Sequence, residues 1–358
     1  MSKRRNKKEQ AKAKKILILL SLSIALVVAI SGFSLWRTFY APAIKTELPD
    51  DGYFYIQTGE TYSDVLERFK EKGIVKDVNL LDWTLRKKNY PNMVKAGRFK
   101  LSPKMSLVDI ANLLRSGNQS PVRLTLRSQK NFSELAKVLA EHLEPDLHLW
   151  QTAFDEVKLR GIDGVTGDAA YTYILPNTYE IFWNTKPYQF IERMQREHKK
   201  FWSRNGREEK AKALGMSKAD VQIMASIVQK ESNKTDELNR IAGVYYNRIK
   251  KRMLLQADPT LVYIVNLDGG EVKRVLNKDK KLDHPYNTYK YLGLPPGAIC
   301  MASAKSIDAV LNLEKHNYLY FCAREDFSGY HNFASSYTAH LRNARVYQQA
   351  LNKRKIYR

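Results

Sequence analysis

A glutamate closes an apolar stripe in the C-terminal half of this 358-residue sequence. Val221, Met224, Val228 and Glu231 stand at i, i+3, i+7 and i+10, one face of a helix. A carboxyl among apolar neighbours is desolvated, which disfavours its charged form and raises its pKa, toward about 6 in glycosidase acids. A carboxyl still protonated at neutral pH can give its proton to a glycosidic oxygen. The same spacing also fits a terminal-turn glutamate that swings into water, so periodicity alone leaves both readings open.

Downstream, Gln256, Asp258 and Tyr263 follow the Leu254-Leu255 pair around an Asp-Pro turn. His284-Pro285-Tyr286-Asn287-Thr288-Tyr289 then leads into Gly293-Leu294-Pro295-Pro296-Gly297. Tyr, Asn and Thr together offer flat apolar surface and hydrogen-bonding groups, which saccharide recognition needs. Taken singly, these segments read equally well as structural turns.

The elements that must position these residues are legible to different degrees. Ser217 and Asp220 form a capping box ahead of a helix ending at Glu231, with Gln229 and Lys230 directed away from the apolar face and free to be solvated. A second helix is expected over Glu237 to Lys251, carrying Ile241, Val244, Tyr245 and Arg248 on one side. The aromatic segment Tyr171 to Tyr179, broken at Pro176, reads as a strand running into a turn. Nearer the N-terminus, capped amphipathic helices are expected after Thr61, Ser106 and Asn131, an echo consistent with repeated strand-helix units or with three unrelated capped helices. The phrase Gly59-Glu60-Thr61 followed by Asp64-Val65-Leu66 resembles the opening of a LysM module, a small fold that grips N-acetylglucosamine chains.

Ile16 to Trp36 is 21 residues without a charge, long enough to cross a bilayer as a helix. Eight Lys/Arg precede it, and only Arg37 and Lys45 follow closely. The positive-inside rule therefore predicts a cytoplasmic N-terminus, with the bulk of the chain beyond the membrane. The basic head contributes +7 of a formal charge of +23. The remaining basic surface suits an anionic partner, and outside the cytoplasm that partner is cell-wall polymer rather than nucleic acid. Cys300 and Cys322 are expected to be either paired or two buried thiols, and no Cys/His spacing suggests a metal site.

The ordered phrases Ala225 to Ser232, Val244 to Arg248, Leu255 to Thr260, Tyr286 to Tyr289 and Gly293 to Gly297 resemble the endolytic murein transglycosylase (YceG-like) family. Pro176-Asn177-Thr178-Tyr179 upstream and His331, Phe333, Tyr337, His340 and Asn343 near the end extend the likeness from about Gly52 to Tyr347. The resemblance implies an α+β fold: a basic head (1–15), a transmembrane helix (16–36), a linker (37–51), a small LysM-like α/β subdomain (52–125) and a larger mixed α+β catalytic domain (126–358). It implies a single-pass protein of the inner (cytoplasmic) membrane with the catalytic domain outside. It also implies a lyase that needs no cofactor, cuts the β-1,4 bond between N-acetylmuramic acid and N-acetylglucosamine, and leaves a 1,6-anhydro end.

The family's catalytic glutamate maps onto Glu231, whereas its preceding glutamate maps onto Gln229, which has no proton to give. One carboxyl then acts first as acid and afterwards as base, with the substrate N-acetyl group assisting. Asn247, Gln256, Asp258, Tyr263, Tyr286, Asn287 and Tyr289 are candidates for the saccharide cleft, and Asn177, Tyr179, Glu180 and His331 for its other wall. The expected partners are peptidoglycan strands, the membrane and peptidoglycan synthases, but not nucleic acid. Two alternatives remain: a lysozyme-type hydrolase using Glu231 with Asp258, the two carboxyls about 5–9 Å apart, and a non-catalytic wall-binding scaffold.

Overall fold

The computed structural model describes residues 2–45, 48, 52–129, 131–160, 167–267 and 275–354. Positions 46, 47 and 49–51 of the expected linker lie outside the described residues. The fold is mixed α+β and divides into two units: residues 1–122 with 182–184, and residues 123–181 with 185–358.

The first unit opens with α1 (Ser2–Tyr40), in which the basic head, the apolar run and the first residues of the expected linker form one continuous helix. From Lys14 to Tyr40 it is long and apolar enough to cross a membrane; residues 16–36 are exposed throughout, and near its end Phe39 stacks on Trp83 with centroids 4.9 Å apart. The helix is followed by β1 (Tyr53–Ile56), α2 (Tyr62–Glu71), α3 (Val78–Lys87), β2 (Gly97–Lys100) and α4 (Leu107–Ser116). β1 and β2 pair antiparallel with Phe54 opposite Phe99. Strand alternation turns Phe54 and Ile56 into the core, where the Phe54 ring stacks on Phe69 of α2 with centroids 4.1 Å apart. Thr61 and Ser106 cap α2 and α4 through reciprocal bonds with Asp64 and Asp109, as their spacing predicts.

Beyond β3 (Val122–Leu126) come α5 (Phe132–His142), α6 (Leu147–Arg160), a 3-10 segment (Gly167–Tyr173), β4 (Asn177–Ile181) and α7 (Pro187–Trp202). The expected strand over 171–179 is therefore displaced. Tyr171, Tyr173 and Ile174 are all buried rather than alternating. Pro176, which has no N–H to give a ladder, stands just before the strand that pairs with β3. The three capped helices α2, α4 and α5 each follow a strand, β1, β2 and β3.

The rest of the second unit holds α8 (Arg207–Leu214), α9 (Lys218–Glu231), α10 (Leu238–Lys250), α11 (Asp258–Leu267), α12 (Ala304–Leu311), β5 (Tyr320–Ala323), β6 (His331–Ala334) and α13 (Tyr337–Lys353). α9 is the central helix, packed against α8, α10, α11 and α12. Val221, Met224 and Val228 are fully buried among Ile241, Ile307 and Val310. α10 comes close to the segment before β5 because position 243 is glycine: a Cβ there would stand 2.5 Å from the Glu314 carbonyl and 2.6 Å from His316 Nε2. β5 and β6 pair antiparallel with Phe321 opposite Phe333.

Candidate active site

Glu231 is the last residue of α9, and its half-buried carboxyl faces the neighbouring helix α10. The Tyr245 hydroxyl, on a side chain only 2% exposed, donates to Glu231 Oε1. Burial pushes the Glu231 pKa up to about 7. The Tyr245 hydrogen bond and the Arg248 guanidinium oppose that rise, and the Asp258 carboxylate adds to it. The alternative in which Glu231 swings into water is not the arrangement observed.

Two compartments meet at this carboxyl. One, of about 400 Å³, is lined by Pro259, Val262, Tyr263, Leu267 and Ile299, with polar groups from Ser128 and Asn131. The other, of about 250 Å³, is lined by Tyr245, Arg248, Gln256, Tyr289, Phe321 and His340. Glu231 and Asp258 belong to both. A third hollow of about 520 Å³, which shares Ser128 with the first, holds Asn177, Thr178, Ser232 and Asn233.

The surrounding backbone is fixed by buried polar bonds. Gln256 takes a left-handed conformation (φ 50°), and its N–H donates to the Thr288 carbonyl at 3.0 Å. The Thr288 hydroxyl accepts from the Ala257 N–H at 3.0 Å and lies 3.0 Å from the Thr260 hydroxyl. These bonds set the start of α11, so Asp258 reaches the cleft, where its Oδ1 accepts from the Tyr289 hydroxyl at 2.5 Å. Burial and that bond to Asp258 raise the Tyr289 pKa, keeping it a proton donor.

Gln229 is a correction to the expectation of a solvated side chain. It is half-buried, its Nε2 donates to the Met301 carbonyl at 3.2 Å, and its Oε1 accepts from the Ser303 N–H at 2.7 Å and the Ser306 hydroxyl at 3.0 Å. Ser226, one turn earlier, accepts from the Ile299 N–H at 3.0 Å. The two side chains pin the segment after Gly293-Leu294-Pro295-Pro296-Gly297 to α9. Cys300 lines the larger compartment and Cys322 sits on β5; both are free thiols.

Of the expected cleft residues, Gln256, Asp258, Tyr263 and Tyr289 surround Glu231. Tyr286 packs its ring 4.9 Å from that of Tyr263. Asn177 lines the third hollow. Others are committed elsewhere. Asn287 is fully buried and donates to the Lys280 and Leu282 carbonyls. Asn247 donates to the His316 and Tyr318 carbonyls. Buried Tyr179 donates to the Leu175 carbonyl, and Glu180 is exposed on β4. His331 pairs with the buried Glu237 carboxylate at 2.9 Å. In these positions the side chains of Asn287, Asn247, Tyr179 and His331 are bonded into the frame.

Tyr245, Arg248 and His340 also line the smaller compartment, beyond the residues the sequence marks as cleft candidates. The signal existed for the first two: a hydroxyl and a guanidinium three residues apart on the otherwise apolar side of α10. Among the described residues no cluster of His, Cys, Asp and Glu could hold a metal ion.

Comparison with known proteins decides the family. Residues 54–346 match the YceG-like family. The chain belongs to that family. Among YceG-like relatives it is 28% identical over 287 residues to a Bacillus subtilis protein named endolytic murein transglycosylase, covering 76% of this chain and 78% of the relative. A Streptococcus pneumoniae protein of the same name is also 28% identical, over 75% of this chain, and the chain spans about half (53%) of that relative's length. A crystal structure of a YceG-like protein from Listeria monocytogenes is 25% identical, with a TM-score of 0.48 over 81% of this chain and 98% of the other.

Proposed function

We propose that this YceG-like chain is an endolytic lytic transglycosylase of peptidoglycan, anchored in the cytoplasmic membrane by α1 with its head inside and the residues after Trp36 outside. The observation that carries the reading is a carboxyl poised near neutrality at the junction of two saccharide-sized compartments. Protonated Glu231 gives its proton to the glycosidic oxygen as the bond to the muramic anomeric carbon breaks, releasing the N-acetylglucosamine side. The substrate N-acetyl oxygen stabilises the cationic centre. Glu231, now a carboxylate, takes the proton from the muramic C6 hydroxyl as that oxygen closes on the anomeric carbon. The products are a 1,6-anhydro end and a free 4-hydroxyl; the glutamate regains its proton and no water is consumed.

Tyr245 orients the carboxyl, and Gln256, Asp258, Tyr263 and Tyr289 contact the sugars. Residues 52–125 act as the LysM-like glycan-gripping module, a reading supported by the strand-helix-helix-strand order of Tyr53–Lys100 within them, and 126–358 as the catalytic domain. Cleavage that ends or releases growing strands would place the protein beside peptidoglycan synthases.

The test is product analysis by mass spectrometry, using the detergent-solubilised full chain on peptidoglycan. Anhydro ends are expected, and Glu231→Gln should lower their rate by about 10²- to 10⁴-fold while glycan still binds. A scaffold would be indifferent to that substitution. Reducing ends would favour hydrolysis instead, the second reading that the shared position of Asp258 and Glu231 keeps open.

A further inference from the structure

Arg248 is a cation without a counter-ion. It is 8% exposed, yet no carboxylate lies within ion-pair distance of it among the described residues. Its Nε donates to the Leu319 carbonyl at 2.6 Å, and its Nη1 to the Leu254 and Leu255 carbonyls and Gln256 Oε1 at 2.9–3.3 Å. These acceptors are neutral. Nη2 and its two N–H groups have no acceptor among the described residues; the guanidinium lies over the neutral Tyr320 ring, Cζ 5.2 Å from its centroid, and the side chain lines the smaller compartment. An enclosed charge normally finds a partner.

The other groups facing this compartment do not supply one. Asp258 is charged, but it forms no ion pair with Arg248 and its Oδ1 is held by Tyr289; Glu231 is neutral in the form that donates a proton. His340 stacks on Tyr320 with centroids 5.3 Å apart. Burial and the Arg248 charge push its pKa down, and its enclosed Nδ1 has no hydrogen-bond partner among the described residues. The opposite compartment carries Pro259, Val262, Leu267 and Ile299 beside polar groups, and the cation that lines it, Lys230, is an exposed side chain rather than an enclosed one.

Building on the transglycosylase reading, we propose that the Arg248 compartment is a carboxylate site. It receives the acidic arm of the muramoyl sugar and so fixes which way a strand lies across Glu231. A guanidinium edge with free N–H groups suits a carboxylate through charge-assisted hydrogen bonds. N-acetylglucosamine, which carries no acid, then falls in the opposite compartment. Two sources offer this chemistry: the lactyl carboxylate of a peptide-free muramoyl residue, and the carboxylates of a stem peptide.

The test is calorimetric binding to the full chain in detergent, carrying Glu231→Gln so that substrate persists. Four ligands are compared: peptide-free strands, the same strands with the lactyl acids converted to carboxamides, peptide-bearing strands, and peptide-bearing strands with their acids amidated. One acid form should bind about tenfold tighter than its amide, the scale of a charge-assisted hydrogen bond. Arg248→Met should erase that preference. The peptide-free pair showing it identifies the lactyl acid as the source, and the peptide-bearing pair identifies the stem peptide. Equal binding within both pairs, or a preference that survives Arg248→Met, overturns the proposal. If Arg248→Met fails to melt cooperatively, Arg248→Lys is read instead: a reduced preference supports the site and an unchanged one overturns it. Anhydro-end formation by the wild type is scored separately, so loss of this site and loss of the underlying reaction give different results.

Discussion

Burial drives the Glu231 carboxyl toward its protonated form, and the hydroxyl of Tyr245 pulls it back. Removing that hydroxyl therefore has a signed consequence. In Tyr245→Phe the charged carboxylate loses a donor, so the Glu231 pKa rises above about 7. A reaction that begins with a protonated Glu231 then persists to higher pH. The alkaline limb of the kcat/KM profile should move upward by about one unit, within the range of single hydrogen-bond effects, and a pH-rate series on defined glycan checks it. A limb that moved down, or stayed in place, would mean that Tyr245 does not govern the acid.

At the scale of elements, the cleft depends on how closely α10 lies against the segment before β5. Gly243 permits that approach, and Asn247 then holds the turn through the His316 and Tyr318 carbonyls. Gly243→Ala places a methyl group where a backbone carbonyl already stands. The expected cost is about 1–3 kcal/mol, the usual range for overpacking, read as a lower urea midpoint with an unchanged m-value. Much of this frame was legible beforehand: the capping box at Ser217, the buried stripe leading to Glu231 and the span of α10 all follow from local chemistry. What remained hidden was tertiary. Asn287 and Asn247 look like sugar ligands by residue type, but their amides are taken by backbone carbonyls that only the fold brings near. The segment 171–179 carries strand-forming residues, yet in its first half burial of Tyr171 and Tyr173 in a 3-10 segment outweighs that propensity, and the strand begins only at Asn177.

For the whole molecule, α1 separates two modes of behaviour. Every residue from Ile16 to Trp36 is exposed, so its apolar surface must be covered by lipid, detergent or another chain. A chain lacking residues 1–36 should move from the membrane pellet to the soluble fraction and melt at nearly the temperature of the full chain in detergent. Ultracentrifugation and a thermal scan check this, and a truncated chain that stayed in the pellet would point to a second attachment. The +16 charge left after the head is removed would then act on wall polymer through screened, salt-sensitive attraction.

The amide of Gln229 ties the segment from Met301 to Ser306 to the last turn of α9, just before the acid. An amide neither gains nor loses a proton across the range in which Glu231 does. Where the resembling family phrase carries a carboxyl at this place, the brace itself would feel acidity; here the masonry stays indifferent while the hinge of the chemistry titrates. Acidification should therefore alter the charge in the cleft without loosening this part of its wall.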